Sequence, residues 1–543
     1  MHNNKQIYFL YAAPAVIAYT IIYLLRGTPF IDDPYIFYRY AENWAAGYGP
    51  VFNVGEYVEG YSSFLWMAIL AAGAFFSLNP EILSPLLNLF VGIASLFLMV
   101  YFCSLIQFSK PRLMAAALPL FCALSFGYSF YGAVGMDTII FSLAILLCII
   151  SLHKSKNSGS YLSAVPFLFL LSIVRAEGPF YAVILLIAFT YFIFRENRSV
   201  PGQLFITILI FIVITILLFF TRYSFYKEWV PSTVLAKGYA TYLIKKAVFN
   251  ADIRTFKEFL RVIYSGLQYQ APLILLGAWL PFIVLLMRRN EKNILLWLMA
   301  SVIAANIFVS LWAGGDWMPY QRFMIPVLPL LVIFMAWASD QLFSKFWSNA
   351  QVPGKTALSV IASLILLSWI VFFIKPNMMT KKYIEEGRSL HLREVGTVLS
   401  KIPVQTILLT DIDGKLPYYA GPRVYVRDIF GLTDIHNAKY GDSWGWEEDG
   451  GGVCGRSDFI YSFTAPFDIF AYNSLRIHKT FVTFCESNPS ICQKYRFLKK
   501  DEWSESELYV VVNVNHPVST ALEERFGAVP LPVNNSLKVE PAS

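Results

Sequence analysis

Long apolar runs separated by short charged turns fill the chain from its first residues to about Ile374, and beyond Lys381 they give way to short alternations of apolar and polar positions. A helix needs about 20 predominantly apolar residues to span a bilayer. Such runs lie at Tyr8–Leu25, Ile82–Ile106, Leu113–Phe130, Thr138–Leu152, Tyr161–Val174, Pro179–Phe194, Leu204–Phe220, Pro272–Met287, Ile294–Trp312, Phe323–Trp337 and Ala357–Ile374, which makes about eleven. Phe64–Ser77 has the length of a re-entrant or interfacial segment. In Phe256–Leu267 the residues Phe256, Phe259, Leu260 and Ile263 recur at helical spacing with Lys257 and Arg261 between them, which predicts an interfacial amphipathic helix. Past Lys381, Lys382–Leu399 predicts a helix, and Thr406–Thr410, Arg423–Val426 and Leu508–Val514 predict strands. The expected architecture is a polytopic α-helical membrane domain, residues 1–380 with a long loop at 26–81, followed by a small α/β domain at 381–543.

Composition agrees with the pattern. Of 543 residues 57% are hydrophobic and only 15% charged, which excludes a soluble globular or a disordered chain. The formal charge of +7 sits in small Lys and Arg clusters between apolar runs, the positive-inside pattern, so no nucleic-acid partner is implied. If Phe64–Ser77 does not cross, Lys5, Lys110 with Arg112, Lys154 with Lys156, Arg195 with Arg198, Arg288 with Arg289 and Lys292, and Lys345 with Lys355 all share one side. That side is then cytoplasmic, and the tail of this multi-pass protein lies outside, periplasmic or extracellular. Tyr8–Leu25 lacks a following small-residue cleavage site and reads as a retained span. Of the six cysteines, Cys103, Cys122 and Cys148 lie in apolar runs, and among Cys454, Cys485 and Cys492 a short Cys485–Cys492 loop is the easiest closure.

The same parity collects the unusual residues on the outward face. The first loop carries the adjacent carboxylates Asp32 and Asp33 before Pro34, then Arg39, Glu59 and Tyr61. Paired carboxylates can hold a divalent cation or supply a general base, and they also occur as a solvated turn before proline. Gly314-Gly-Asp316-Trp317-Met-Pro precedes Arg322, where a planar guanidinium suits phosphate, although an interfacial Trp and Arg anchoring a turn would look the same. Arg175 and Glu177 can pair across a turn, and Asp137 can cap the helix that starts at Thr138. No Walker sequence, dinucleotide turn or His-Glu-x-x-His is present. A reaction outside the membrane would therefore draw on a substrate already activated there.

Taken in order, Asp32-Asp33-Pro-Tyr-Ile with Arg39-Tyr40, Val51-Phe-Asn-x-Gly-Glu-x-Val58-Glu59-Gly60-Tyr61, Gly135-Met-Asp137-Thr138, Arg175-x-Glu177-Gly178 and Gly315-Asp316-Trp317-Met-Pro-x-x-Arg322-Phe323 resemble the GT-C superfamily of polyprenyl-phosphate-dependent glycosyltransferases. The likeness is greatest to the terminal arabinofuranosyltransferases of mycobacterial cell walls and to pilin arabinosyltransferases. Thr410-Asp-Ile-Asp413-Gly414, Pro417-Tyr-Tyr and Asp428-Ile-Phe-Gly431-Leu-Thr-Asp434 are similar to their outer domain. Departures are Asp137 for Glu, Ala176 for Pro, and Ser232 where Pro-Asn-Thr is common.

The resemblance implies a GT-C fold and an inverting displacement at the anomeric carbon of a polyprenyl-phosphate pentofuranose such as arabinofuranose. Asp33 or Asp32 would be the base, and Arg322, Arg175, Arg39 and Lys237 the cations for the leaving phosphate. Asp316, Trp317, Glu177, Asp137, Glu59 and Tyr61 would contact substrate. Asp32 and Asp33 acting as ligands would want Mg²⁺, Mn²⁺ or Ca²⁺; the sequence does not choose between this and metal-free chemistry, nor between Asp316 as ligand, hydroxyl acceptor or partner of Arg322. A composition rich in Ile, Phe, Ser, Asn and Lys argues against arabinogalactan as acceptor and leaves a surface glycan or a pilin. A lipid or ion transporter or flippase would also use outward acidic residues, but transporters usually show matched repeats and midplane charges, which this sequence lacks. A receptor with a membrane anchor would not need so many spans.

Overall fold

The computed structural model describes residues 5–26, 31–250, 252–275, 277–288, 291–316, 318–348, 386–441, 443–444, 455–472, 475–498, 508–526 and 528–529. The expected span Ala357–Ile374, together with Trp317 and Cys454, lies outside them. Helix α1 (Lys5–Arg26) is followed in the first long loop by α2 (Pro34–Ala45) and α3 (Phe64–Phe75). Then come α4 (Pro80–Ser104), α5 (Pro111–Leu124), α6 (Phe126–Val134), α7 (Thr138–Ser158), α8 (Val165–Val174), α9 (Gly178–Asn197) and α10 (Gly202–Tyr226). The short α11 (Ser232–Lys237) and α12 (Tyr239–Asn250) lead to α13 (Ile253–Leu275), α14 (Leu280–Met287), α15 (Ile294–Trp312) and α16 (Leu328–Ser348).

Among the described residues six helical runs are long and apolar enough to cross a membrane: α4, α7, α9, α10, α15 and Tyr320–Leu342. Two expected spans are instead bent pairs. α5 and α6 meet at 60° because Ser125 takes extended backbone at φ −59, ψ 124. α13 and α14 meet at 69°, with Gly277 between them at φ 79, a left-handed conformation glycine adopts without Cβ strain. The predicted amphipathic segment Phe256–Leu267 is thus the first part of a 23-residue helix. It buries Val262, Ser265 and Gly266 and exposes Phe256, Leu260 and Tyr264. At α3, 12 residues rise about 18 Å, too short for a hydrocarbon core of about 30 Å, as the charge parity requires.

The tail sheet runs in the order β2-β1-β5-β7-β6-β8, formed by β1 (Thr406–Thr410), β2 (Val424–Asp428), β5 (Ile469–Tyr472), β6 (Tyr495–Leu498), β7 (Tyr509–Asn513) and β8 (Ala528–Val529). β3 (Ser443–Trp444) and β4 (Arg456–Ser457) form a separate antiparallel ribbon. β2, β1 and β5 are parallel and the remaining pairings antiparallel. Helix Glu386–Ser400 replaces the expected Lys382–Leu399, whose first four residues lie outside the described part. Cys485 and Cys492 form a disulfide, while Cys103, Cys122 and Cys148 are free and buried.

The first loop and the tail share a hydrophobic core. Ile36, Phe37, Tyr40, Phe52, Trp66 and Leu70 of the loop pack in one cluster with Leu392, Leu408, Ile412, Leu416, Val424 and Val426 of the tail. The larger membrane-domain cluster is a separate body of apolar contacts, centred on α4, α7, α9, α15 and α16. The site lies where these two cores meet.

Candidate active site

Each charged turn is brought to one place by local backbone. Asp33 directly precedes α2, whose first residue is Pro34, a residue suited to that position because the missing N–H would have no helical partner. Gly135 ends α6 at φ 83 and turns the chain so that Met136 and Asp137 lead into α7. Arg175 is extended after α8, and the Ala176 N–H donates to the Ser62 carbonyl at 2.8 Å, tying this turn to the first loop. Ser232 opens α11 with its N–H and hydroxyl on the Glu59 carbonyl, both at 2.9 Å, and Lys237 ends the same helix. A 3-10 stretch at Pro319–Val327, with Tyr320 and Gln321 at φ 59 and 52, carries Arg322.

These elements enclose a cavity of about 280 Å³ whose wall holds Asp33, Tyr61, Arg175, Glu177, Lys237 and Arg322, with Phe180, Phe308 and Trp312 as an apolar side. Arg322 donates through Nε and Nη2 to Asp316 at 2.6 and 2.9 Å and through Nη1 to Asp33 Oδ2 at 2.9 Å. Arg175 donates to Asp137 at 3.0 Å and to Glu177 at 2.7 Å. Burial opposes the Arg175 charge, but Asp137 and Glu177 more than offset it and hold its pKa above the ordinary value. Burial raises the Asp137 carboxyl, against the pull of Arg175. Lys237 is different: burial, then the neighbouring Arg322, lower its pKa. Among the described residues no carboxylate lies within ion-pair distance of it. The Thr233 hydroxyl, on the same wall, also has no hydrogen-bond partner among the described residues.

The structure therefore unites Asp33, Tyr61, Arg175, Glu177, Lys237 and Arg322 at one wall. Asp316 and Asp137 stand behind, each fixing an arginine. Glu59 is paired with Arg222 at 2.6 Å, and the Tyr61 hydroxyl meets that of Tyr226 at 2.9 Å. Trp317 is not among the described residues. Two expectations are corrected. Arg39 does not reach the cavity: it is buried and donates to the carbonyls of Phe52, Pro417, Gly421 and Val424, because α2 packs on the tail. Asp32 and Asp33 do not converge as a metal pair: Asp32 accepts from the Gly414 and Lys415 N–H groups of the tail while Asp33 accepts from Arg322. Among the described residues no three His, Cys, Asp or Glu side chains are grouped to hold a metal ion. Sequence reasoning missed Ser62, Thr233 and Leu432, which also line the cavity. Of these, Leu432 had a signal in the Gly431-Leu-Thr motif.

No described protein family and no curated protein matches the sequence. Solved structures do. A crystal structure of ArnT from Cupriavidus metallidurans bound to undecaprenyl phosphate superposes with a TM-score of 0.52 at 13% identity, covering 94% of this chain and 99% of that one. The oligosaccharyltransferase AglB from Archaeoglobus fulgidus, in complex with an inhibitory peptide and a dolichol-phosphate, gives 0.54 at 11% identity over 95% of this chain and 75% of that one. An Archaeoglobus fulgidus oligosaccharyltransferase in complex with Zn and sulfate gives 0.53 at 11%, over 91% and 72%. The chain has the GT-C fold: a polytopic helical membrane domain with a C-terminal α/β domain.

Proposed function

We propose that the chain is an inverting glycosyltransferase that moves a pentofuranose, in the first instance arabinofuranose, from a polyprenyl-phosphate donor to a surface glycan or pilin on the outer face of a bacterial inner membrane. The observation that carries this reading is the cavity wall: Arg175 and Arg322 are matched by Asp137, Glu177, Asp33 and Asp316, while Lys237 beside them has, among the described residues, no carboxylate within ion-pair distance. A cation without a carboxylate of its own suits one anionic phosphodiester. Support comes from the neighbours of like fold, one bound to undecaprenyl phosphate and another to a dolichol-phosphate.

Asp33 takes the proton of the acceptor hydroxyl as that oxygen attacks the anomeric carbon, and the phosphate leaves from the opposite face toward Lys237 and Arg175. Arg322 is engaged by Asp316 on one edge and Asp33 on the other, so it orients the base and adds positive potential at the leaving group. The Thr233 hydroxyl is available to a sugar hydroxyl, and Phe180, Phe308 and Trp312 keep the pocket dry. Membranes containing the chain, given decaprenyl-phosphate arabinofuranose and an acceptor glycan, should release decaprenyl phosphate. Mass spectrometry of surface glycans and pilin with and without the protein identifies the acceptor. Release with another lipid-phosphate sugar but not this one would overturn the pentose while keeping the transfer.

A further inference from the structure

The tail touches the site from behind, through the turn that precedes helix Lys415–Ala420. Asp32, the neighbour of the cavity carboxylate Asp33, points its own carboxylate at this turn: Oδ2 accepts from the Gly414 N–H and Oδ1 from the Lys415 N–H, both at 2.7 Å. These bonds are charge-assisted and both donors are backbone, so neither can rotate away. Gly414 has φ −101, a value open to any residue. Proximity is what excludes a side chain: a Cβ there would stand 2.7 Å from the Asp32 carbonyl carbon and 2.8 Å from its Cγ. Further along, Arg39 of α2 donates to the carbonyls of Pro417, Gly421 and Val424, and the Asn53 side chain pairs with the N–H and the carbonyl of Val426 at 2.9 and 2.8 Å. The first loop is thus fastened to the tail at Asp32, Arg39 and Asn53, and the peptide bond between Asp32 and Asp33 links that fastening to the cavity.

We propose that Gly414 is a positioning residue for the transfer: its N–H and that of Lys415 clamp Asp32 and so fix the backbone from which Asp33 reaches Arg322 and the acceptor hydroxyl. The inference rests on the reading of Asp33 as the base. It makes the tail a working part of the reaction centre, since a carboxylate displaced by about 1 Å loses most of its effect on rate.

The test uses the full-length protein in nanodiscs, with Gly414→Ala, Asp32→Asn and the double variant. Decaprenyl-phosphate arabinofuranose serves as donor, and undecaprenyl phosphate as the probe of phosphate binding. The clamp predicts that each single variant loses about tenfold or more in kcat, while donor KM and undecaprenyl phosphate binding stay within about twofold. The double variant should be no worse than the poorer single one, because both changes cut the same contact. Backbone hydrogen exchange should rise in residues 31–45 of both single variants and stay unchanged in α9 and α15. Wild-type kcat with unchanged exchange at 31–45 would overturn the clamp. So would parallel losses of kcat, phosphate binding and tail-wide protection in Asp32→Asn, which keeps Gly414 and the side-chain shape and therefore answers even if Gly414→Ala fails to fold. If the wild type binds no undecaprenyl phosphate and transfers nothing, the glycosyltransferase reading falls, and the exchange at 31–45 still decides whether the tail holds Asp32.

Discussion

In the proposed reaction Asp33 and Lys237 divide the chemistry between them, and their surroundings explain how. Asp33 is held by one arm of Arg322, whose other edge is occupied by Asp316; it keeps an oxygen for the acceptor while its orientation is fixed. Replacing it with Asn keeps the shape and removes the base, so Asp33→Asn should cut turnover by about 100-fold or more with donor binding near normal in a lipid-phosphate binding assay. Among the described residues Lys237 has no carboxylate within ion-pair distance. Lys237→Gln should weaken undecaprenyl phosphate binding roughly tenfold or more, the usual worth of a hydrogen bond to a charged group, and unchanged binding would move the phosphate to Arg175. The candidate acids and arginines were legible because the sequence sets them in turns between apolar runs. Their assignments were not: Arg39 and Arg322 look alike in sequence, and only the packing of α2 on the tail turns the first toward backbone carbonyls and leaves the second facing a cavity.

Among the elements, the loop Asp428–Asp434 shows how a tail segment reaches the site. Asp428 accepts from the Phe430 and Thr433 N–H groups at 2.6 and 2.7 Å, shaping the turn that delivers Leu432 to the cavity wall. Beside it Asp413 is buried with one carboxyl oxygen that has no hydrogen-bond partner among the described residues. Burial and the adjacent Asp428 push the Asp413 pKa well up, and burial pushes Asp428 up to about 6. Since both hold protons more tightly folded than unfolded, the folded tail binds more protons above about pH 4, where unfolded Asp titrates. The pair's stabilisation is whole below that pH and is lost as pH rises through about 6. Thermal melts of the protein in detergent should show a lower Tm at pH 7.5 than at pH 5, and Asp413→Asn, whose amide still donates to Asp428, should flatten that difference. A steeper fall in the variant would assign the proton elsewhere. The long spans and β1, β2 and β7 were readable from their runs. β5 and β6 have only four residues each, too few for alternation to show, and the bends at Ser125 and Gly277 follow from single backbone conformations that an apolar run conceals.

At the scale of the whole molecule, the sequence boundary near residue 380 separates two compositions, yet the first loop folds with the tail into one core. Contacts such as Arg39 with Val424, 385 positions apart, leave no trace in local pattern, so the partnership of loop and tail had no sequence signal. Charge parity predicts that this assembly lies on the outer side of the membrane, a compartment in which the Cys485–Cys492 bond would persist. A C-terminal reporter that functions only in the outer compartment should be active, and one that works only in the cytoplasm should be silent; the reverse would invert every turn at the site. The central claim, transfer from a polyprenyl phosphate through Asp33, is tested most directly by following decaprenyl phosphate released from decaprenyl-phosphate arabinofuranose on addition of acceptor glycan or pilin, with wild type and Asp33→Asn compared at equal protein in nanodiscs. The account predicts acceptor-dependent release by the wild type and almost none by the variant at undiminished donor binding; equal release by both proteins would contradict it.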